Sequence, residues 1–400
     1  MIGLAYCDRA GRIYFDESRT PLADGGIVRA AEQSEIIPAP QGTVPMILPG
    51  RRPLLSDGVA KRRYAMAAIL PAGYTRLLLP AYERDADAPA LPLFGYTFAC
   101  VVNDELHVAA MRTDESEDWQ PRHFAQGELE SIINTRLQTE PFNRVLAQVG
   151  VCSREYGCFT AQNVFLERGE AALPVSPKCN ARCVGCISEQ DSGLPAPQTR
   201  IGYEASPEEL ASVAIHHLER VPDGIVSFGQ GCEGEPLLRS IAIARTIELI
   251  RAQRPNGTIN LNTNGSMPSA LQRCIDAGLQ AVRISLNSFR PAVYAAYYRP
   301  AGYTLENVLE SVRLACSAGL RVSLNLLTHP GVTDDEEEVR AMQAFLRSTN
   351  VRMIQTRTLN IDPEWYFETV GRPQRGLGMR AAIEAIASCG TSVGNFTHTH

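Results

Sequence analysis

The second half of the chain repeats one pattern, in which a short apolar run is followed by a segment with helical periodicity. Runs that are apolar along most of their length are typical of parallel strands covered by helices. Strands joined through helices form a barrel or an open sheet with right-handed crossovers, so the predicted fold class is α/β. Six such runs predict strands over residues 171–176, 224–228, 258–262, 281–286, 320–327 and 351–356.

Helix boundaries between these runs are marked by capping residues. Residues 206–209, Ser-Pro-Glu-Glu, form a capping box with proline at the first helical position. A second box beginning at Thr333 predicts another helix start. Gly278 and Gly319 stand where a helix ends and the chain turns into the next strand. The sequences around these two glycines also repeat each other, which indicates one βα unit used several times.

Three cysteines follow the first predicted strand within eight positions: Cys179, Cys183 and Cys186. A short loop with this spacing can turn three thiolates toward one inorganic centre. A structural zinc ion needs a fourth protein ligand, and neither Cys nor His follows directly. A [4Fe–4S] cluster bound by three cysteines leaves one iron open to another ligand. Both interpretations, and chance clustering of core cysteines, remain open at this point.

Polar segments follow the other predicted strands as well. They comprise residues 229–236, 263–265, 285–288 and 325–331. The carboxyl ends of parallel strands meet at one rim, where ligands bind in barrels and open α/β sheets. The sequence therefore predicts a binding site that combines these segments with the cysteine loop.

In this order, the motifs resemble those of the radical S-adenosylmethionine (radical SAM) superfamily. The three cysteines match its CxxxCxxC motif, and Gly234-Glu235 resembles its glycine–glutamate motif after the second strand. The strand–helix units resemble its partial (β/α)6 barrel over about residues 170–360. Two positions depart from the family pattern. Gly185 stands where an aromatic residue usually precedes the third cysteine, and Glu233 replaces the first glycine of the usual Gly-Gly-Glu.

The resemblance implies that the three cysteines hold a [4Fe–4S] cluster whose open iron binds S-adenosylmethionine. One electron then cleaves S-adenosylmethionine to a 5′-deoxyadenosyl radical, which abstracts hydrogen from a substrate. Glu235 is expected to accept a hydrogen bond from the methionine ammonium. The full set of implied cofactor-binding residues is Gly234, Glu235, Asn262, Asn264, Ser285 and Asn287.

The implied partners are an electron donor, such as flavodoxin or ferredoxin, and a small-molecule or peptide substrate. The sequence identifies neither that substrate nor the catalytic residues that act on it. Two alternatives stay open: a protein with a structural zinc at the three cysteines, and an iron–sulfur protein that only transfers electrons. Cys152 and Cys158, which precede the predicted barrel, leave open an auxiliary cluster.

The sequence predicts three domains: one before the strand–helix repeats, one that contains them, and one after them. Residues 1–165 are expected to form a β-rich α+β module that caps the barrel or binds substrate, with a hairpin turn at Asn103-Asp104 and a helix over 128–149. Residues 166–370 are the expected (β/α)6 core, and residues 371–400 a C-terminal helix and tail.

Charge and hydropathy restrict the partners. The chain has 38 basic and 44 acidic side chains, a formal net charge of −6, which argues against binding nucleic acid through phosphate contacts. No run approaches the roughly 18 apolar residues of a membrane span. Asp8 and Arg9 interrupt the N-terminus where a signal peptide needs an apolar segment. We expect a cytoplasmic protein without membrane or nucleic-acid partners.

Overall fold

The computed structural model describes residues 1–115, 119–124, 127–190, 193–254, 256–358, 361–372 and 375–396. Its helices are α1 (Leu129–Thr139), α2 (Arg144–Glu155), α3 (Phe159–Leu166), α4 (Pro207–Arg220), α5 (Ser240–Gln253), α6 (Pro268–Asp276), α7 (Pro291–Tyr298), α8 (Leu305–Ser317), α9 (Glu336–Arg347), α10 (Pro363–Val370) and α11 (Met379–Ala387). Short 3₁₀ segments occupy Gln33–Glu35, Pro121–His123 and Pro236–Arg239.

The strands of the first half are β1 (Gly3–Cys7), β2 (Ile13–Asp16), β3 (Leu22–Asp24), β4 (Val28–Ala30), β5 (Ile37–Pro38), β6 (Val44–Leu48), β7 (Arg51–Leu55), β8 (Gly58–Val59), β9 (Tyr64–Ile69), β10 (Tyr74–Arg76), β11 (Leu79–Pro80), β12 (Tyr82–Arg84), β13 (Thr97–Val102), β14 (Glu105–Val108) and β15 (Ala110–Arg112). Those of the second half are β16 (Glu170–Leu173), β17 (Ile225–Phe228), β18 (Thr258–Thr263), β19 (Ala281–Leu286), β20 (Arg321–Leu327), β21 (Met353–Arg357) and β22 (Ser392–Gly394).

The strands of the second half form one parallel sheet, paired in chain order from β16 to β22. Helices cover it, and the predicted α/β class with a parallel barrel-type core is confirmed. Strand β19 coincides with the predicted run, whereas β16 ends at Leu173 instead of continuing to Ser176. The reason is that the N–H groups of Val175 and Ser176 donate to the Glu233 carboxylate, not to a neighbouring strand. Strand β22 is a short addition to the six predicted strands.

The helix signals are confirmed at three of four positions. The Ser206 hydroxyl accepts from the Glu209 N–H at 3.2 Å, and the Glu209 carboxylate accepts from the Ser206 N–H at 2.9 Å. Gly278 and Gly319 have φ values of 107° and 76°, left-handed conformations that favour glycine. The box at Thr333 is wrong by two residues. Asp335 caps α9, because the Thr333 hydroxyl instead accepts from the His329 N–H at 2.9 Å.

The first half of the chain builds antiparallel sheets. The largest joins β2, β1, β9, β13, β14 and β5, with β6 also paired to β9. The predicted hairpin is confirmed between β13 and β14, where Asn103 and Asp104 have φ values of 52° and 60°. The single helix predicted over 128–149 is wrong. Glu140 leaves helical geometry before Pro141, and α2 then starts anew with Asn143 as its N-cap.

Buried polar contacts join the antiparallel sheets to the barrel. Arg51 forms an ion pair with Asp362, in which both side chains are almost completely buried. The hydroxyls of Thr75 and Thr356 lie 2.6 Å apart. A buried ion pair fixes orientation more than it adds stability, so these contacts define how the two parts meet. In the described part of the chain, no helix is both long and apolar enough to cross a membrane.

Candidate active site at the carboxyl ends of the barrel strands

A cavity of about 490 Å³ opens at the carboxyl ends of the barrel strands. The three cysteines of the loop after β16 line it, and so do five of the six residues expected to bind cofactor. Those five are Gly234, Glu235, Asn262, Asn264 and Ser285. The fold therefore brings the cysteine loop and the segments after β17, β18 and β19 to one space, as expected of loops at one rim.

The cysteine thiols are half-buried and close enough to influence one another. Burial, together with the charge of Cys186, raises the pKa of Cys179 to about 11 and that of Cys183 well above its usual value. The Arg200 guanidinium donates to the Cys186 sulfur at 3.6 Å. Three thiolates that repel one another suit a cationic centre that would be bound between them, so the donor set fits an iron–sulfur cluster.

The same thiols do not fit a single metal ion. Among the described residues, no group of three or more His, Cys, Asp or Glu side chains is arranged to hold one ion. A four-iron cube separates its thiolate ligands more widely than a single tetrahedral ion does. The structural-zinc alternative is therefore not favoured.

Backbone hydrogen bonds from the end of α7 hold the cysteine loop. The Arg182 N–H donates to the Tyr298 carbonyl at 3.1 Å, and the Val184 N–H donates to the Tyr297 carbonyl at 3.0 Å. These bonds satisfy backbone groups of an irregular loop that regular secondary structure does not. The tyrosine-rich helix therefore determines the course of the loop between the first and third cysteines.

The Gly234-Glu235 segment hydrogen-bonds to the chain just before the first cysteine. The Gly234 N–H donates to the Ser176 carbonyl at 2.7 Å, and the Glu235 N–H donates to the Lys178 carbonyl at 2.8 Å. A Cβ atom at position 234 would lie 2.0 Å from the Lys178 carbonyl oxygen. Only glycine permits this approach, so the motif has a backbone role next to the thiols.

The Glu235 carboxylate is buried and faces the cavity. One oxygen accepts from the Leu237 N–H at 2.9 Å and from the Thr263 hydroxyl, and the other accepts from the Asn264 N–H at 2.8 Å. Burial raises the pKa of Glu235 to about 7, while these donors oppose the shift. A carboxylate oxygen can accept two hydrogen bonds, so the second oxygen can take one more donor.

Glu233, which replaces a glycine of the family pattern, has a different role. Its carboxylate accepts four backbone N–H groups at 2.7 to 3.0 Å, two from the segment after β16 and two from the segment after β17. Burial raises the pKa of Glu233 to about 8, against the effect of these donors. The side chain therefore joins two loops of the rim and has no oxygen left for a ligand.

The asparagines expected to bind cofactor differ in their surroundings. The Asn262 amide donates to the Gly229 carbonyl, and the Asn264 amide donates to the Asn180 side chain, each at 2.8 Å. Both residues line the cavity while holding its loops. Asn287 departs from the expectation. It is fully buried outside the cavity lining, and its amide donates to the Tyr366 hydroxyl at 3.3 Å.

Tyr297 occupies the space beside Gly185, the position that departs from the family pattern. A Cβ atom at position 185 would lie 2.8 Å from the Tyr297 hydroxyl oxygen and 3.0 Å from an Ile361 methyl carbon. The tyrosine itself lines the cavity. An aromatic ring thus stands at this point of the cavity, supplied by α7 instead of by the cysteine loop.

The structure also places in the cavity wall two charged residues that the sequence did not predict there, Glu170 and Arg283, together with Arg357. Glu170 and Arg283 form a buried ion pair of 2.6 Å, and Arg357 ends β21. One signal was available for Arg283, since it is a charged residue inside an otherwise apolar run. A charge in such a run usually points into the polar interior of a barrel.

Cys152 and Cys158 lie close to the site but separately from the triplet. The thiols of Cys152 and Cys232 hydrogen-bond to each other, which lowers the pKa of Cys152 and raises that of Cys232. Both are buried, whereas Cys158 lines a smaller cavity beside the main one.

Comparison with known proteins points to one superfamily. The family model described as the Radical SAM superfamily matches residues 173–342. The FeMo cofactor biosynthesis protein NifB of Klebsiella pneumoniae is 28% identical over 246 residues, 57% of this chain and 51% of that protein. The GTP 3′,8-cyclase of Peptoclostridium acidaminophilum is 33% identical over 186 residues, 46% of this chain and 54% of that enzyme. The chain spans about half the length of these curated relatives.

Among solved structures, a radical SAM methyltransferase from Sphaerobacter thermophilus is 13% identical to this chain. The match covers 56% of this chain and 64% of the methyltransferase chain, with a TM-score of 0.41. Methylornithine synthase is 15% identical, and the match covers 65% of this chain and 75% of the synthase chain, with a TM-score of 0.39. The match of the family model includes the cysteine loop and strands β17 to β20. The chain thus carries a domain over residues 173–342 that matches the radical SAM superfamily, whose enzymes use a [4Fe–4S] cluster and S-adenosylmethionine.

Proposed function

We propose that Cys179, Cys183 and Cys186 hold a [4Fe–4S] cluster with which this enzyme cleaves S-adenosylmethionine and removes hydrogen from a substrate. The observation that carries the proposal is that the three thiols and the Glu235 carboxylate line one cavity. When bound, the cluster supplies the electron that splits S-adenosylmethionine into methionine and a 5′-deoxyadenosyl radical. Superfamily enzymes commonly need a reductant such as flavodoxin or ferredoxin, and we propose the same class of donor here.

The residues of the chain bind and orient the reactants. The open acceptor position of Glu235 would take a hydrogen bond from the methionine ammonium, a charge-assisted contact in a buried place. Gly234 and Glu233 fix the loops on either side of that carboxylate through backbone hydrogen bonds. Ser285 lies on the cavity wall, where it would contact the nucleoside. Such fixed positions reduce the reorganisation that catalysis requires.

We further propose that residues 1–165 help to bind the substrate, beside a core of residues 166–370. Trp119, Cys158 and Thr160 precede the barrel in sequence and line a small cavity next to the main one. Thr160 lines the main cavity as well. The relatives named above differ in reaction, so the substrate of this chain is addressed from its own residues below.

Anaerobic purification and reconstitution test the proposal. We expect about four irons per chain, and 5′-deoxyadenosine on addition of S-adenosylmethionine and a strong reductant. Replacing any one of the three cysteines by alanine should abolish both, whereas the matched variant Cys316→Ala, at a half-buried thiol on α8, should retain both. Stoichiometric zinc in place of iron would contradict the proposal. A fully loaded protein that leaves S-adenosylmethionine intact would support electron transfer alone.

A further inference from the structure

A side chamber of about 280 Å³ adjoins the main cavity. The two spaces share Thr160, Glu170, Arg283 and Arg357 as wall residues. The described residues that line the chamber include none of the three cysteines proposed to bind the cluster. The chamber therefore lies beside the cluster site and opens toward it across the shared residues.

The charged residues of the chamber wall comprise one carboxylate and two guanidinium groups. Glu170 pairs with Arg283 at 2.6 Å, which neutralises one guanidinium. Arg357 forms no ion pair with a described residue, and its hydrogen bonds go to neutral oxygens of Asn325, Gln355 and Asn395. Burial lowers the pKa of Arg357 to about 10, so the group stays charged at neutral pH. One positive charge is left in excess.

The Arg357 guanidinium is also held in position. Nε and one terminal nitrogen donate to the Asn325 side chain at 3.4 and 3.3 Å, and the other terminal nitrogen donates to the Asn395 carbonyl at 2.7 Å. A guanidinium has five N–H groups, so one N–H on that last nitrogen has no described acceptor. A cation fixed by neutral acceptors is prepared to bind an anion with little loss of side-chain entropy.

The chamber wall also contains three aromatic side chains. Trp119, Phe159 and Phe396 come from three distant parts of the chain. The Trp119 ring is stacked on Phe396 and on Phe124, with centroids 5.3 and 6.3 Å apart. Ring surface at the chamber wall favours contact with a flat or apolar group of a ligand. The chamber thus combines a fixed cation with an apolar wall.

We propose that the side chamber binds a substrate that carries an oxyacid group, a carboxylate or a phosphate, against the Arg357 guanidinium and a planar or apolar portion against the aromatic wall. That the ligand is the substrate of hydrogen abstraction rests on the proposed function. That the chamber binds such an acid rests on the chamber alone. Binding there would place the remainder of the molecule toward the main cavity, past Thr160 and Arg283.

Calorimetric titration of the full chain, without S-adenosylmethionine, tests this binding directly. The probes are benzoate, phenyl phosphate and the neutral isostere benzamide. We expect at least one acid to bind about tenfold or more tightly than benzamide, because an ionic hydrogen bond in a buried site contributes more than a neutral one. The stronger of the two acids identifies the carboxylate or the phosphate as the group recognised.

Variants separate the chamber from general charge effects. Arg357→Gln should weaken binding of the acid about tenfold or more, and Arg357→Lys less, because lysine keeps the charge but not the hydrogen bonds that hold the guanidinium in place. The matched variant Arg321→Gln, at the other end of the barrel, should bind as the parent chain does. Far-ultraviolet circular dichroism checks the fold of each variant, and the preference of the parent chain for acid over amide does not depend on any variant.

Equal binding of the acids and benzamide to the parent chain, or unchanged binding by a folded Arg357→Gln variant, would overturn the proposal. The outcome is distinguishable from failure of the proposed function. Binding of the acid by a chain that does not cleave S-adenosylmethionine leaves the chamber proposal standing, and cleavage without binding of the acid removes only the chamber proposal.

Discussion

The two ends of the barrel carry cavities of similar size but of different chemistry. The cavity at the amino ends of the strands measures about 560 Å³, and that at the carboxyl ends about 490 Å³. Apolar, arginine and small polar side chains line the first, whereas thiols, glycines and the Glu235 carboxylate line the second. Volume alone would select the wrong end. The residues that follow the strands, not the space between them, identify the site.

Glycine also serves a different purpose at each end. Gly278 and Gly319 end helices at the amino side, and at Gly319 a Cβ atom would meet open space. At the carboxyl side, Cβ atoms at Gly229 and Gly234 would lie within 2.0 Å of a backbone oxygen of another segment. The first pair permits a left-handed turn, and the second permits two loops to touch. Substitutions should therefore have different consequences at the two ends.

The largest effect is expected for Gly234→Ala. Its Cβ atom would overlap the Lys178 carbonyl, which cannot move without displacing the cysteine that follows. We expect a loss of about 3 kcal/mol or more in the free energy of unfolding, together with loss of iron binding. Urea unfolding and iron content of the reconstituted protein measure the two effects.

Gly319→Ala is the matched change at the amino end. Its left-handed φ of 76° costs about 1–2 kcal/mol for alanine, but Gly319 lies at the opposite end of the barrel from Cys179, Cys183 and Cys186. We expect lower stability with full iron content. Equal iron contents in the two variants would show that the approach of Gly234 to Lys178 does not support the cluster site.

A second large loss of stability is expected for Arg283→Met. Arg283 lines both cavities and pairs with Glu170 between them. Methionine would remove the Arg283 cation from that buried carboxylate, and breaking a buried ion pair costs about 3–5 kcal/mol. The double variant with Glu170→Leu should recover much of the loss, because it removes the other member of the pair as well. Thermal unfolding of the single and double variants measures this coupling, and strictly additive losses would contradict a direct pair.

The two halves of the chain also differ in how far sequence alone predicts them. The six barrel strands were predictable because parallel strands buried on both faces leave continuous apolar runs. Before the barrel, sequence predicted the hairpin of β13 and β14, but many of the other strands are only two or three residues long or contain proline, which is too short a pattern to show a periodicity. Strand β22 has the same difficulty, since its three residues pair only with the edge of β21.

Within the site, sequence predicted which segments meet but not the direction of each side chain. Ser285 and Asn287 should share one face of a strand, because side chains alternate. The strand ends at Leu286, however, and the turn that follows carries Asn287 away from the cavity. Tyr297, which belongs to a separate helix, fills the space beside Gly185. No spacing in the sequence indicates that a distant tyrosine takes the place of the aromatic residue missing from the cysteine loop.

Glu235→Gln should affect function at the carboxyl end while preserving the cluster. The amide keeps the shape of the side chain but loses the charge that would attract an ammonium group. We expect unchanged iron content and cleavage of S-adenosylmethionine about 10–100 times slower at limiting concentration, from a loss of about 1.5–3 kcal/mol. Formation of 5′-deoxyadenosine and an iron assay of the same sample measure both. If the variant cleaves S-adenosylmethionine as fast as the parent chain does, Glu235 does not bind the methionine ammonium.

The smallest effect is expected for Glu209→Gln, which lies at neither cavity. The Glu209 carboxylate accepts from the Arg144 guanidinium at 2.7 and 2.8 Å, and these contacts lower the pKa of Glu209 to about 2. A carboxyl whose pKa is lower in the folded chain than in the unfolded chain stabilises the fold above its unfolded pKa. We expect the variant to lose about 1 kcal/mol at pH 7.

The difference in the free energy of unfolding between the parent chain and the Glu209→Gln variant should narrow as the pH falls below about 5. The reason is that the Glu209 carboxyl takes up a proton at higher pH in the unfolded chain than in the folded chain. Urea unfolding from pH 7 to pH 4 follows this trend, and iron content should not change at any pH in that range relative to the parent chain. A difference in stability that stays constant over the range would show that the Arg144 contact acts through packing, not charge. Loss of iron in this variant would mean that the cysteine site responds to general destabilisation, and the contrast between the two ends of the barrel would lose its basis.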